Sequence, residues 1–177
     1  MGNISNKINQ IFFPDLSKRF TSLWKKTKHY QNSKGVINKI RFIISYYRYE
    51  KLSRKCHIRI PLGVCDEGLS LPHPEVIAIS HGAKIGKNCR VQKMVSVGPA
   101  FGTTKCPKIG DNVYIGPGAN LYGDIEIADN CWIGANAVVN KSFLEPYSVI
   151  AGVPAKVVKT ETRNWMDVLK KNHEDRE

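Results

Sequence analysis

The sequence predicts a mainly β fold, a left-handed parallel β-helix, with a helical segment before it and a short helix after it. Three observations predict it. From residue 79 onward one aliphatic residue recurs every six positions: Ile79, Ile85, Val91, Val97, then Ile109, Ile115, Leu121, Ile127, Ile133 and Val139. The next residue is often small (Ser80, Gly86, Gly98, Gly110, Gly116, Ala128, Gly134), and the fourth after it is compact or apolar (Ala83, Cys89, Val95, Val113, Ala119, Ile125, Cys131, Ala137, Phe143). Before residue 60 the period is different, with Ile37, Ile40, Ile43, Ile44 and Tyr47 recurring at three- and four-residue steps.

A period near 3.6 marks a helix and a period of 2 a simple strand. A strict six suits neither. It suits a solenoid in which each hexad forms one flat side of a triangular coil, the aliphatic residue pointing inward and Gly or Asn turning the corners.

Residues 1–60 read as a basic helical segment. One helix is expected near Asp15–His29 and a second over 36–55, separated by Asn32-Ser33-Lys34-Gly35, a cluster of turn formers ending in Gly. Residues 61–159 read as the coil. Within it Pro99–Lys108 breaks the pattern, yet Val97 to Ile109 spans two repeats, so the phase survives and this stretch is expected to loop out of the coil. After Val139 the phase slips by one, with Leu144 and Ile150 expected to continue it. Residues 160–177 hold a short terminal helix over Thr162–Lys171, with Trp165, Val168 and Leu169, and a tail.

Composition narrows the function classes. The chain of 177 residues has no apolar run long enough to cross a bilayer. Phe12, Phe13 and Leu16 are interrupted by Asp15, Lys18 and Arg19, which is not a signal-peptide layout, and Asn6 departs from the myristoylation pattern. The five cysteines form no C-x-x-C pair, so neither a zinc ribbon nor a dithiol site is indicated, and free thiols fit a reducing compartment. A cytoplasmic protein is expected. Its net charge of +12 lies in residues 1–60, where fourteen Lys and Arg face only Asp15 and Glu50. A solvated helix face accounts for this charge; so does peripheral contact of residues 1–60 with an anionic membrane or acidic polymer. No nucleic-acid motif accompanies the charge, and none is expected as partner.

The run of [Leu/Ile/Val]-Gly-x-x-small-x units resembles the hexapeptide-repeat acyltransferase superfamily. Ile150-Ala151-Gly152-Val153-Pro154-Ala155-Lys156-Val157-Val158 resembles that family's last coil. Gly68-Leu69-Ser70-Leu71-Pro72-His73, followed by Val76-Ile77-Ala78-Ile79, resembles the coil entry of its serine acetyltransferase branch, which includes many polysaccharide O-acetyltransferases. The resemblance spans roughly residues 36–160. It implies a homotrimer, acetyl-CoA as co-substrate in the cleft between neighbouring coils, and a histidine base, which by motif position is His73.

The chemistry suits that residue. A hydroxyl attacks a thioester only as a base removes its proton, and imidazole has the pKa for the task. The oxyanion that forms needs a donor such as a backbone N–H. His81, at an early corner, is the rival base, while His29, His57 and His173 read as surface residues. The serine enzymes supply an orienting acid about fifteen residues before the base; here His57-Ile58-Arg59 offers none, leaving Asp66, Glu67 and Glu75 as substitutes. For CoA, backbone near Gly116, Gly118, Ala135 and Gly152 is expected to allow close approach, and Lys141 and Lys156 to meet its phosphates. Turn geometry explains the same small residues without a ligand. Cys89 and Cys131 read as core. No metal is expected.

Cys106 stands where the serine enzymes place a second histidine, Pro72 where they place an acid, and the short N-terminal part and the ending Asp175-Arg176-Glu177 depart from them as well. The expected acceptor is therefore a sugar hydroxyl in a surface or capsular glycan, with serine second. Two other classes are set beside these: a zinc carbonic anhydrase, which needs three histidines around the metal that His73 and His81 alone do not provide, and a non-catalytic trimeric scaffold that binds a membrane or acidic polymer through residues 1–60.

Overall fold

The computed structural model describes residues 16–174, with side chains through residue 171. The features expected at Met1–Asp15, at the His173 side chain and at the last three residues lie outside the described part. The chain divides into two compact units, one up to Lys55 and one from Cys56 onward.

The first unit is a helical hairpin, α1 (Leu16–Gln31) and α2 (Val36–Cys56). The turn between them uses Gly35 at φ +99°, where a side chain would be strained, and the Ser33 hydroxyl donates to the His29 carbonyl at 2.8 Å. Phe20 and Trp24 are buried, and the Phe20 ring lies 5.4 Å from that of Tyr49. Thr27 Oγ1 and Ser45 Oγ share a hydrogen bond of 2.6 Å inside the hairpin. Thus α2 packs through Ser45, Tyr49 and Ser53. The apolar series that marks it as a helix, Ile37, Ile40, Ile43, Ile44 and Tyr47, is its exposed side.

The second unit is the coil, and it forms because each hexad offers one inward aliphatic residue. The first face holds β1 (Ile58–Arg59), β2 (Ile77–Ile79), β5 (Ser96–Gly98), β8 (Asn120–Tyr122) and β11 (Val138–Val139). The second holds β3 (Lys84–Ile85), β6 (Lys108–Ile109) and β9 (Glu126–Ile127). The third holds β4 (Arg90–Val91), β7 (Tyr114–Ile115), β10 (Trp132–Ile133), β12 (Ser148–Gly152) and β13 (Ala155–Thr160). All pairings are parallel except β12 with β13. Every aliphatic residue named for the six-residue repeat is buried, and so is every compact residue at the fourth place after it. β1 already pairs with β2, so the coil begins at Ile58, ahead of residue 61.

One turn advances eighteen residues, as Ala78 opposite Ser96 and Lys108 opposite Glu126 show. Lys84 opposite Lys108 spans twenty-four, because the loop from Pro99 adds six between the first and second faces. The loop returns at Lys108, which belongs to β6. Lys105 Nζ pairs with Asp124 Oδ2 at 2.6 Å at its base, and the Phe101 ring at its tip is fully exposed.

The phase slip after Val139 runs otherwise than expected. Phe143 pairs with Ile127 and is buried, while Leu144 is exposed; Ile150 then lies opposite Ile133. The corner before Phe143 is short, closed by the Ser142 hydroxyl accepting from Glu126 N at 3.0 Å, so the inward position arrives two residues ahead of a regular turn and one ahead of the expected Leu144.

The corners from the second to the third face carry a ladder of asparagines in the left-handed region: Asn88, Asn112 and Asn130, at φ 54–59°. Asn88 Nδ2 donates to Asn112 Oδ1 at 3.3 Å and Asn112 Nδ2 to Asn130 Oδ1 at 3.1 Å. Asn tolerates this backbone better than other residues with a side chain. The terminal helix α3 (Trp165–Glu174) starts later than expected, because Asn164 caps it: Asn164 Oδ1 accepts from Met166 N and Asp167 N at 2.9 and 3.1 Å. Trp165 Nε1 donates to the Asn88 carbonyl at 3.0 Å, and the Arg90 guanidinium lies 5.2 Å from the ring centre, tying α3 to the coil.

Candidate active site

The triangular coil sorts the candidate residues onto edges. His73 lies in the stretch that carries the first turn from the third face, where Ser70 pairs with Arg90, to the first, where Ile77 begins β2. Its side chain is exposed, and its carbonyl accepts from Glu75 N at 2.9 Å in a tight turn between Pro72 and Val76. Above it the same edge is stacked turn on turn: Met94 N donates to Glu75 O at 3.0 Å, Gly118 N to Lys93 O at 3.0 Å and Asn136 N to Pro117 O at 2.9 Å. Gly116, Gly118, Ala135 and Gly152 therefore share one edge of the prism with His73.

They do not play equal parts there. Gly116 is buried, and a Cβ at that position would stand 2.8 Å from both the Ala135 nitrogen and the Ile133 oxygen. Close stacking of successive turns accounts for it. Gly118 is half-buried at φ +73°, so its reason is the corner conformation. Ala135 and Gly152 are exposed.

The two lysines separate. Lys156 lies on β13 opposite Ala151, beside this edge and exposed. Lys141 sits on the edge between the first and second faces, its ammonium 5.5 Å from the Phe143 ring centre. Lys93 is an exposed cation on the His73 edge, one turn above the histidine. The sequence reading overlooked it because it sought phosphate contacts in the late turns; its place two residues after Val91 was the available signal.

Position also decides among the carboxylates. Asp66 N donates to Ile85 O and Asn88 N to Glu67 O, which puts Asp66 and Glu67 on the edge between the second and third faces. Only Glu75 shares the edge of His73. Where the serine enzymes place their acid, Ile58 is buried in β1 and Arg59 is exposed. His81 lies on the edge between the first and second faces, so within one chain the two histidines do not meet. His57, exposed at φ 53°, begins the stack at whose next turn Val76 N donates to Cys56 O. Cys106 is buried with its thiol 3.6 Å from the Thr104 carbonyl, and Gly82 leaves room for the sulfur. Among the described residues no group of three His, Cys, Asp or Glu is arranged to hold a metal ion.

Burial acts on the core thiols as expected. It pushes the Cys89 thiol up to about 12, against the smaller opposing effect of a backbone hydrogen bond, and raises Cys131 as well.

Comparison with known proteins fits this architecture. Residues 106–141 match the family model for bacterial transferase hexapeptide repeats (six repeats). A serine acetyltransferase of Buchnera aphidicola subsp. Schizaphis graminum is 31% identical over 134 residues, covering 73% of this chain and 51% of that protein. One from Staphylococcus xylosus is 40% identical over 90 residues, covering 46% and 41%. The chain thus spans about half the length of the curated relatives it matches. Among solved structures, a serine acetyltransferase in complex with CoA superposes with a TM-score of 0.63 at 24% identity, covering 85% of this chain and 60% of that one. These relatives carry serine in their names, the acceptor that the sequence reading placed second, after a glycan hydroxyl.

Proposed function

This chain is a member of the hexapeptide-repeat, left-handed β-helix acyltransferase superfamily, and on that premise we propose that it moves an acetyl group from acetyl-CoA to the hydroxyl of serine. The observation that carries the proposal is the place of His73, exposed on the same edge as Gly118, Ala135 and Gly152. His73 acts as general base. Its imidazole takes the proton of the acceptor hydroxyl as the oxygen attacks the thioester carbonyl. Backbone N–H groups meet the oxyanion of the tetrahedral intermediate. Collapse of that intermediate breaks the carbon–sulfur bond, and the imidazolium returns its proton to the departing thiolate. In this reading Glu75, on the same edge, orients the ring, and Lys93 and Lys156 bind the CoA phosphates.

The working form is a homotrimer with the reaction in the cleft between two coils. Such a cleft draws on two edges, one from each protomer. That arrangement accommodates Lys141 and the Phe101 loop, both on the edge between the first and second faces.

A sugar hydroxyl is the second reading. Pro72 and the buried Cys106 favour it, since they stand where the serine branch carries an acid and a second histidine. The test is thiol release from acetyl-CoA with serine and with a panel of sugars, for the native protein and for His73→Ala. Serine-dependent release that falls by ~10²–10⁴-fold in His73→Ala is the expected result. Release with sugars alone would move the acceptor to the second reading. Release that survives His73→Ala unchanged would remove His73 from the chemistry.

A further inference from the structure

The helical hairpin combines two surfaces that the acetyl-transfer reading does not use. The first is apolar: Val36, Ile37, Ile40, Ile43, Ile44 and Tyr47 line the outer side of α2, and even the best covered of them is 54% exposed. The second is a cationic groove of about 830 Å³ between α1 and α2. Arg19, Lys26, Arg48, Lys51 and Lys55 line it with no carboxylate among its lining residues, and Tyr47 belongs to both surfaces. Across residues 16–55 twelve Lys and Arg face a single acid, Glu50.

A helix with a broad exposed apolar side, aromatic at one end and bordered by cations, has the design of a segment that lies in a bilayer interface. No described helix is long and apolar enough to cross a membrane, so the hairpin would lie on the surface. We infer that it docks on an anionic phospholipid bilayer, the isoleucines of α2 entering the acyl boundary while the groove lysines and arginines meet lipid phosphates. Charge selects this occupant. Packing the same stripe against a second copy would bring two sets of cations together with almost no carboxylate to offset them. A bilayer rich in anionic headgroups supplies the missing counter-charge at about a fivefold gain in partitioning for each basic residue near the surface.

The inference is independent of the acceptor and is tested on the full chain by vesicle co-sedimentation. The protein is mixed with phosphatidylcholine vesicles, or with vesicles of phosphatidylcholine and phosphatidylglycerol, at low and high salt. It is expected to sediment with the anionic vesicles alone and to be released by salt. Ile40→Asp with Ile44→Asp should abolish sedimentation, and Arg48→Gln with Lys51→Gln should weaken it roughly thirtyfold. These side chains are exposed, so far-UV circular dichroism of both variants is expected to match the native protein. Sedimentation with neither vesicle, or with both equally, would overturn the inference. So would a native oligomer that dissociates in Ile40→Asp with Ile44→Asp, since the stripe would then be a protein–protein contact. Recovery of the protein on an acidic polymer but not on anionic vesicles would also overturn it.

Discussion

The asparagine ladder gives a stability prediction whose sign separates two physical effects. Asn112 sits at φ 56°, gives a hydrogen bond to Asn130 and accepts one from Asn88. Replacing it with Gly removes both hydrogen bonds, each contributing about 0.5–1.5 kcal/mol and less where water reaches the site. It keeps the backbone conformation, at an entropic cost of about 0.5–1 kcal/mol. Asn112→Ala loses the same hydrogen bonds and also forces a Cβ into the left-handed region, at about 1–2 kcal/mol. The backbone link from Asn112 N to Lys87 O at 2.7 Å holds that conformation in place, so the residue cannot relax out of it. Asn112→Gly is expected to lose about 1–3 kcal/mol and Asn112→Ala about 0.5–1 kcal/mol more. Urea unfolding of the three proteins followed by circular dichroism measures this as the shift in midpoint. At an ordinary strand or helix position Gly is the worse replacement. A midpoint for Asn112→Gly below that for Asn112→Ala would show that φ at this corner does not limit stability.

Two further predictions follow from burial. Ile133 is fully buried between Ile115 and Ile150, so Ile133→Ala should cost about 2–5 kcal/mol, whereas Ile40→Ala on the open side of α2 should stay within about 0.5 kcal/mol of the native protein. Equal losses in the same urea assay would contradict the assignment of buried and exposed faces. Cys89 adds a pH dependence. Its thiol rises from 9.0 in the unfolded reference to about 12 in the fold, so the native state holds its proton longer. The associated stability is complete below pH 9.0 and declines as pH rises from there toward about 12. Unfolding midpoints across that range should fall in the native protein and fall less in Cys89→Ala; parallel curves for the two would refute the assignment.

The coil was legible because its rule is local. One inward aliphatic residue per hexad is visible in a single string, and Asn or Gly at corners such as 112 and 118 names the backbone those corners need. The loop at 99–107 was legible for the same reason, as a step of twelve between two inward positions, Val97 and Ile109, that normally stand six apart. Features set by counts the string does not display were less accessible. Whether Phe143 or Leu144 faces inward depends on the length of one corner. The allocation of Asp66 and Glu67 to an edge away from His73 depends on Cys65 pairing with Ile85, a separation of twenty residues in a first turn that is not yet regular. Periodicity gave the angular spread of Ile37, Ile40, Ile44 and Tyr47 on α2 but not the side that packs, because α1 meets the helix through Ser45 and Tyr49, which carry no strong apolar signal.

The loop that begins at Pro99 adds six residues to one turn, and the turns on either side do not register the difference. Lys84 still lies opposite Lys108, and Arg90 opposite Tyr114. A corner of this prism is therefore a socket: chain enters and leaves it at fixed points, and what hangs outside is free to change in length and chemistry. Recognition elements can be exchanged there without renegotiating the core. A scaffold with such sockets at every turn can acquire new substrates by insertion, keeping one load-carrying frame for many outer surfaces.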